Sequence, residues 1–176
     1  SQLMQSHDYI VGHLTPSIVL YEPSFEGWLS AVFYVYTNKL QDDESLQLIA
    51  HDCYIPSLIA QATSVATDAD NAERVLIKLH KLLDRSGMRN ILWGFLSEKA
   101  HIGTTLFQVV KYAIDYPSRS IMEDLGNLNV LELVQTVKSV AREKHRMEAF
   151  VRFEHTTDDI YFARVEPDFN VLPLIG

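Results

Sequence analysis

The sequence predicts an α+β fold: one mostly helical domain with an N-terminal strand and a C-terminal antiparallel hairpin. Three observations point to it. Ser17 to Tyr21 is a short apolar, β-branched run between Pro16 and Pro23, as expected of a buried strand. From Ser24 to about residue 147, apolar residues recur mainly at helical spacing. After Met147 the period changes to two: Val151 and Phe153 alternate with Arg152 and Glu154, and Tyr161, Ala163 and Val165 alternate with Phe162, Arg164 and Glu166.

Residues 1–16 are polar and without period, and read as a flexible leader, so the domain is expected to span 17–176. After the first strand, Ser24 offers an N-cap to a helix carrying Phe25, Trp28, Leu29, Val32, Phe33, Tyr36 and Leu40. Ala31 and Val35 fill its other side, so it should be the central buried helix. Asp42-Asp43-Glu44 marks a turn, and the rest of 41–66 fits a short helix or an extended segment equally. Thr67, with Asp70 three residues on, has capping-box spacing before a helix that buries Val75, Leu76, Leu79, Leu82 and Leu83. Gly87 is expected to stop that helix. Further helices are expected from about Met88 to Leu96 and from about Thr104 to Asp115, the latter ended by Pro117. The longest, 128–147, starts at Asn127 or Asn129 and buries Val130, Val134, Val137 and Ala141, with Leu131, Leu133 and Val140 widening the stripe. Thr156-Thr157-Asp158-Asp159 is the expected turn of the hairpin.

A chain of 176 residues with 47% hydrophobic and 22% charged residues is long enough to bury a core and is not disordered by composition. Trp28 to Tyr36, the longest apolar stretch, is interrupted by Ser30 and falls far short of the roughly 18–20 residues of a spanning helix. No membrane association is expected, and no secretory signal is visible. Cys53 is the single cysteine, which excludes intrachain disulfides and cysteine-cluster zinc sites and favours a cytoplasmic setting. It lies two residues from His51, but a lone cysteine is expected to be a buried packing residue.

The net charge of −8 disfavours a surface that attracts nucleic acid everywhere. The basic residues are unevenly spread, however. Lys138, Arg142, Lys144, Arg146 and Arg152 place five of the 15 within one short stretch that holds only Glu143 and Glu148 as acids. On the expected long helix, Lys138, Arg142, His145 and Arg146 share one face. Together with Arg152 and Arg164 on the adjoining hairpin, they are the candidate phosphate-binding residues. A second stripe, Arg74, Lys78, Lys81 and Arg85, reads as the solvated face of an amphipathic helix. Glu143, His145, Glu166 and Asp168 would form a carboxylate–imidazole cluster, the candidate catalytic group, if the hairpin folds back on the long helix. Bland readings compete, since Glu166 can pair with Arg152 or Arg164 and Asp168 can cap a turn. No metal-ligand spacing and no cofactor-binding motif is present.

Several segments resemble an uncharacterised bacterial family labelled "probable DNA metabolism protein", a domain also found fused to uracil-DNA-glycosylase-like domains. They are Tyr21-Glu22-Pro23-Ser24-Phe25-Glu26-Gly27, Thr67-Asp68 with Ala72-Glu73-Arg74-Val75, and Phe95-Leu96-Ser97-Glu98. The most specific are Val140 to Met147, Phe150-Val151-Arg152-Phe153 and Glu166 to Pro173. Phe169 stands where the family pattern has His, so no metal or proton-transfer role is carried over to it. The family domain continues into a further segment rich in arginine and aromatics, so part of the site is expected beyond Gly176. The resemblance implies DNA repair or modification beside a radical-SAM or uracil-DNA-glycosylase-like partner, and no established reaction.

Three functions remain open at this point. The first is a DNA-metabolism accessory domain presenting its basic face to DNA or a nucleotide. The second is an enzyme using the Glu/His/Asp cluster for acid–base or metal chemistry. The third is a module docking on a repair or radical-SAM protein.

Overall fold

The computed structural model of the chain describes residues 16–118 and 120–165. In chain order the elements are β1 (Ser17–Tyr21), α1 (Phe25–Thr37), β2 (Gln47–Ala50), β3 (Gln61–Val65), α2 (Ala69–Leu82), α3 (Arg85–Leu96), α4 (Ile102–Asp115), α5 (Leu128–Val140) and α6 (Lys144–Val165). Single 3-10 turns stand at His51–Cys53 and Ile121–Glu123. The chain divides into two compact units, Ser1–Val75 and Leu76–Gly176, with the division falling inside α2.

The first unit is a three-stranded sheet, ordered β2-β1-β3, with α1 packed against it. Both pairings are parallel, with Val19 opposite Leu48 on one side and Thr63 on the other. A parallel neighbour requires a crossover, and α1 supplies the one between β1 and β2. β1 is central, which explains its uninterrupted apolar run: Ile18, Val19, Leu20 and Tyr21 are all buried although they alternate between faces. The polar β3, Gln-Ala-Thr-Ser-Val, is an exposed edge. The segment 41–66 is thus mainly extended, and the sheet has two strands that sequence periodicity left undecided.

α1 begins where expected. The Ser24 hydroxyl accepts the Gly27 N–H at 2.9 Å, and Trp28, Ala31 and Val35 are fully buried. Phe25 stacks on Trp28 with centroids 5.7 Å apart. Gly27 has no room for a side chain, because a Cβ there would collide with the Glu22 carbonyl. Ser30, 2% exposed, shares its hydroxyl proton between the carbonyls of Glu26 and Asp68 and accepts the Asp68 N–H at 3.0 Å. That bond ties the β3–α2 connection to α1. The cap of α2 lies one residue later than the capping-box spacing implies. Asp68 accepts the Asn71 N–H at 2.9 Å, while the Thr67 hydroxyl donates to Glu22 at 2.5 Å.

The second unit is helical. Gly87 does not end α2. It lies buried in the first turn of α3, where its N–H donates to the Asp84 cap at 2.7 Å. α3 packs on α4, α5 and α6, and α4 on α5. A Cβ at Gly94 would collide with Leu133 of α5, so this glycine permits the α3–α5 approach. The core comprises Ile91, Leu92, Leu106, Phe107, Val109, Val130 and Leu133, with Thr136 and Val140 completing the buried stripe of α5. Val134 and Val137, expected at the stripe's centre, are only half-buried.

Two expectations fail in the last quarter, and both bear on function. The long helix ends at Val140 rather than continuing to 147, and a new helix starts at Lys144. The hairpin is absent: its residues up to Val165 are helical in α6. Helical spacing competes with the alternation there, since Phe150, Phe153, Thr157 and Tyr161 recur at intervals of three and four. In place of the expected turn, Thr156 and Thr157 sit within the helix, where their hydroxyls donate back to the Arg152 and Phe153 carbonyls at 3.0 and 2.9 Å.

Candidate phosphate-binding corner between α5 and α6

Asn127 caps α5, accepting the N–H groups of Asn129 and Val130 at 3.0 and 3.1 Å. Thirteen residues later the helix closes: the Ala141 N–H reaches Val137, and the Glu143 N–H makes a tighter bond to Val140, both at 2.9 Å. No glycine or proline marks the break. Lys138 therefore lies in the last turn of α5, Arg142 in the connecting turn, and His145 and Arg146 in the first turn of α6. The four cations do not share the face of a single helix.

Arg142, Glu143, Lys138 and Arg152 are exposed. Among the described residues Lys138, Arg142 and Arg152 enter no ion pair, whereas Lys99 approaches Glu132 at 3.6 Å and Lys111 holds Asp115 at 2.6 Å. Glu143 makes interactions of its own. The side chains of Lys144, His145, Arg146 and Arg164 lie outside the described residues, as do Glu166 and Asp168 entirely. The first turn of α6 contains no acidic residue. Three successive basic side chains, Lys144, His145 and Arg146, thus belong to a helix N-terminus, where the free N–H groups already carry partial positive charge.

α6 is positioned by α3. Arg89 Nε lies 3.4 Å from a carboxylate oxygen of Glu154, and the same guanidinium stacks 4.1 Å over the Trp93 ring. Thr157 is buried. His80, near the end of α2, is pulled below the ordinary imidazole pKa by burial, with the Asp158 carboxylate opposing the shift. The Arg89, Trp93 and Glu154 arrangement was not anticipated, although Arg89 and Trp93 are one helical turn apart. Its partner residue lay in the segment expected to be a strand.

The other sequence candidates fall as follows. The carboxylate–imidazole cluster rested on a hairpin folding back over the long helix. In its place stands a 22-residue helix, roughly 33 Å long at 1.5 Å per residue, beginning just after Glu143. Among the described residues no group of three or more His, Cys, Asp or Glu side chains is placed to hold a metal ion. Arg74, Lys78 and Lys81 are exposed along α2, while Arg85 opens α3. Cys53, expected in the core, is exposed in the 3-10 turn after β2. Burial, followed by the negative charges of Cys53 and Asp52, pushes the Tyr21 phenol up to about 12. None of the described helices is long and apolar enough to cross a membrane.

With the corner described, comparison with known proteins places part of the chain. Residues 100–176, which include α4, α5 and α6, match the family described as a domain of unknown function, DUF4130. No curated protein and no solved structure matches the chain.

Proposed function

We propose that the chain is a DNA-metabolism accessory domain whose α5–α6 corner binds a nucleic-acid or nucleotide phosphate. One observation carries the reading: the densest basic segment of an acidic protein falls at the start of a helix whose first turn has no acid. Cations at that end oppose the helix dipole, each by about 0.3–1 kcal/mol when exposed. An anion bound there reverses the sign, because it meets free N–H groups and the basic side chains together. Arg142 supplies an exposed guanidinium beside it. The resemblance to a DNA-metabolism family supports the choice of nucleic acid as the anion. Arg152, about two turns along α6, extends the candidate contacts, whereas Arg164, roughly 30 Å along the helix, lies too far from the corner to share them. The net charge of −8 also suits a second reading, a module docking on a radical-SAM or uracil-DNA-glycosylase-like repair protein.

The test is fluorescence anisotropy of labelled single- and double-stranded DNA with the whole chain and its variants. Arg142→Ala and Arg146→Ala should each weaken binding, while Arg74→Ala and Lys78→Ala on the α2 stripe should change it little. Equal losses in all four would reduce the interaction to diffuse electrostatics. No binding by the unsubstituted chain would remove the phosphate reading and leave the docking reading to be tested by co-purification.

A further inference from the structure

At the far end of α4 a different chemistry is gathered. Tyr112 and Tyr116, one turn apart, tilt against each other with ring centroids 5.3 Å apart. Tyr116 is largely exposed at 67%. Their rings, with the hydroxyls of Ser118 and Ser120, border an open pocket of about 320 Å³. Glu123 and Asp124, from the 3-10 turn and its end, complete the rim, and Ile121 forms its apolar part. The Tyr112 hydroxyl donates to the Asp124 carboxylate, which holds the phenol protonated above its usual range. Asp124 is thereby oriented by the phenol.

Among the described residues neither Glu123 nor Asp124 is ion-paired, and Lys111, the described cation on the same turn of α4, is held by Asp115 at 2.6 Å. The pocket also lies at the C-terminal end of α4, where the helix dipole favours positive charge and the last turn has no basic residue. Carboxylates exclude phosphate, so this site and the basic corner select opposite charges.

We propose that this pocket binds a guanidinium group, such as that of an arginine side chain. A guanidinium satisfies every part of the lining at once. Its flat face stacks on the exposed Tyr116 ring, and its fork of N–H donors meets the carboxylates of Asp124 and Glu123. The serine hydroxyls accept a remaining donor. A lysine ammonium gains the charge but neither the stacking nor the bidentate geometry. The inference is independent of the phosphate reading, because it uses a different end of the unit and the opposite charge.

The experiment titrates the whole chain with Nα-acetyl-arginine amide, free arginine, Nα-acetyl-lysine amide and Nα-acetyl-citrulline amide, following tyrosine ring resonances by NMR. The arginine amide should shift the Tyr112 and Tyr116 signals, and the neutral citrulline analogue should bind at least about tenfold more weakly, since it lacks the charge. Free arginine binding as well as the amide assigns the site to a small metabolite; preference for the amide assigns it to a peptide segment. Asp124→Asn keeps an acceptor for Tyr112 and should weaken binding about tenfold, and Tyr116→Leu should weaken it several-fold, neither unfolding the chain. Equal binding of citrulline and arginine, or no loss in either variant, overturns the proposal.

Discussion

Gly27 shows how a motif that looks functional can be structural. It ends the Tyr21–Gly27 segment, which lies outside the residues 100–176 that match a family, and its α-hydrogen faces the Glu22 carbonyl where a Cβ cannot fit. Gly27→Ala should cost about 1–3 kcal/mol, the usual penalty for overpacking against atoms that cannot move aside, measured by denaturant unfolding. Its neighbour Trp28 is fully buried, and Trp28→Ala should cost about 3–5 kcal/mol. A loss below about 1 kcal/mol would mean the indole is not part of the core. Tyr21 makes a prediction about pH. Its phenol is 4% exposed and raised to about 12, so the folded state holds the proton more tightly than the unfolded chain. Its contribution is fully present below pH about 10, the ordinary phenol value, and is lost as pH rises towards about 12. Alkaline titration of stability should therefore show a fall in that window, and Tyr21→Phe should reduce it. His80 works in the opposite direction. Burial lowers its pKa, so stability should fall on acidification below about pH 6.5. Asp158→Asn, by removing the charge that supports imidazolium, should steepen that fall.

At the scale of elements, what the sequence revealed depended on whether local pattern and tertiary context agreed. β1, α1 and α4 were legible because an apolar run or stripe coincided with a cap or a proline, Ser24 for α1 and Pro117 for α4. The start of α3 was read three residues late, at Met88, because Gly87 was taken as the stop of α2 and the Asp84 cap was missed. β2 and β3 were not, because β3 is a polar edge and β2 has only four residues. Such strands are defined by pairing with β1, which no local period encodes. The end of α5 was hidden for another reason. Ala141-Arg142-Glu143-Lys144 has high helix propensity throughout, so nothing local announces a break. α6 was misread because its residues satisfy both periods, and two threonines before two aspartates look like a turn until their hydroxyls bond back along the helix. The candidate site inherited these errors in part. Arg142, His145 and Arg146 were expected as a stripe on one helix, whereas the chain places Arg142 in the turn before α6 and His145 and Arg146 in its first turn. The α3–α6 contact then offers a modest check on α6. Arg89 and Glu154 are half and one-quarter exposed, so a double-mutant cycle between Arg89→Ala and Glu154→Gln should give a coupling of about 0.2–1 kcal/mol, reduced by solvent screening. Zero coupling in low salt would place Glu154 away from α3.

Across the whole molecule, net charge −8 and a local basic corner make opposing demands on any DNA complex. The acidic surface repels the duplex at long range, while salt screens that repulsion beyond roughly 8–10 Å and leaves contacts at the corner in force. Affinity should therefore be modest, and its dependence on salt should count the phosphates held at the corner rather than the charge of the protein. Each lost phosphate contact lowers the slope of log affinity against log salt by roughly 0.7–0.9, because one fewer condensed counterion is released. Arg142→Ala should flatten the slope by about that amount, and Arg74→Ala should leave it unchanged. Glu143 provides the sharpest test, since it is an exposed acid placed immediately before the start of α6. As a local competitor for the helix N-terminus it should hold phosphate off, so Glu143→Gln should tighten DNA binding while the slope stays nearly constant. An acid–base cluster makes a different prediction, that Glu143→Gln abolishes an activity whatever it does to affinity. Tighter binding in Glu143→Gln, weaker binding in Arg142→Ala and no change in Arg74→Ala form a pattern that diffuse attraction to the α2 stripe cannot produce.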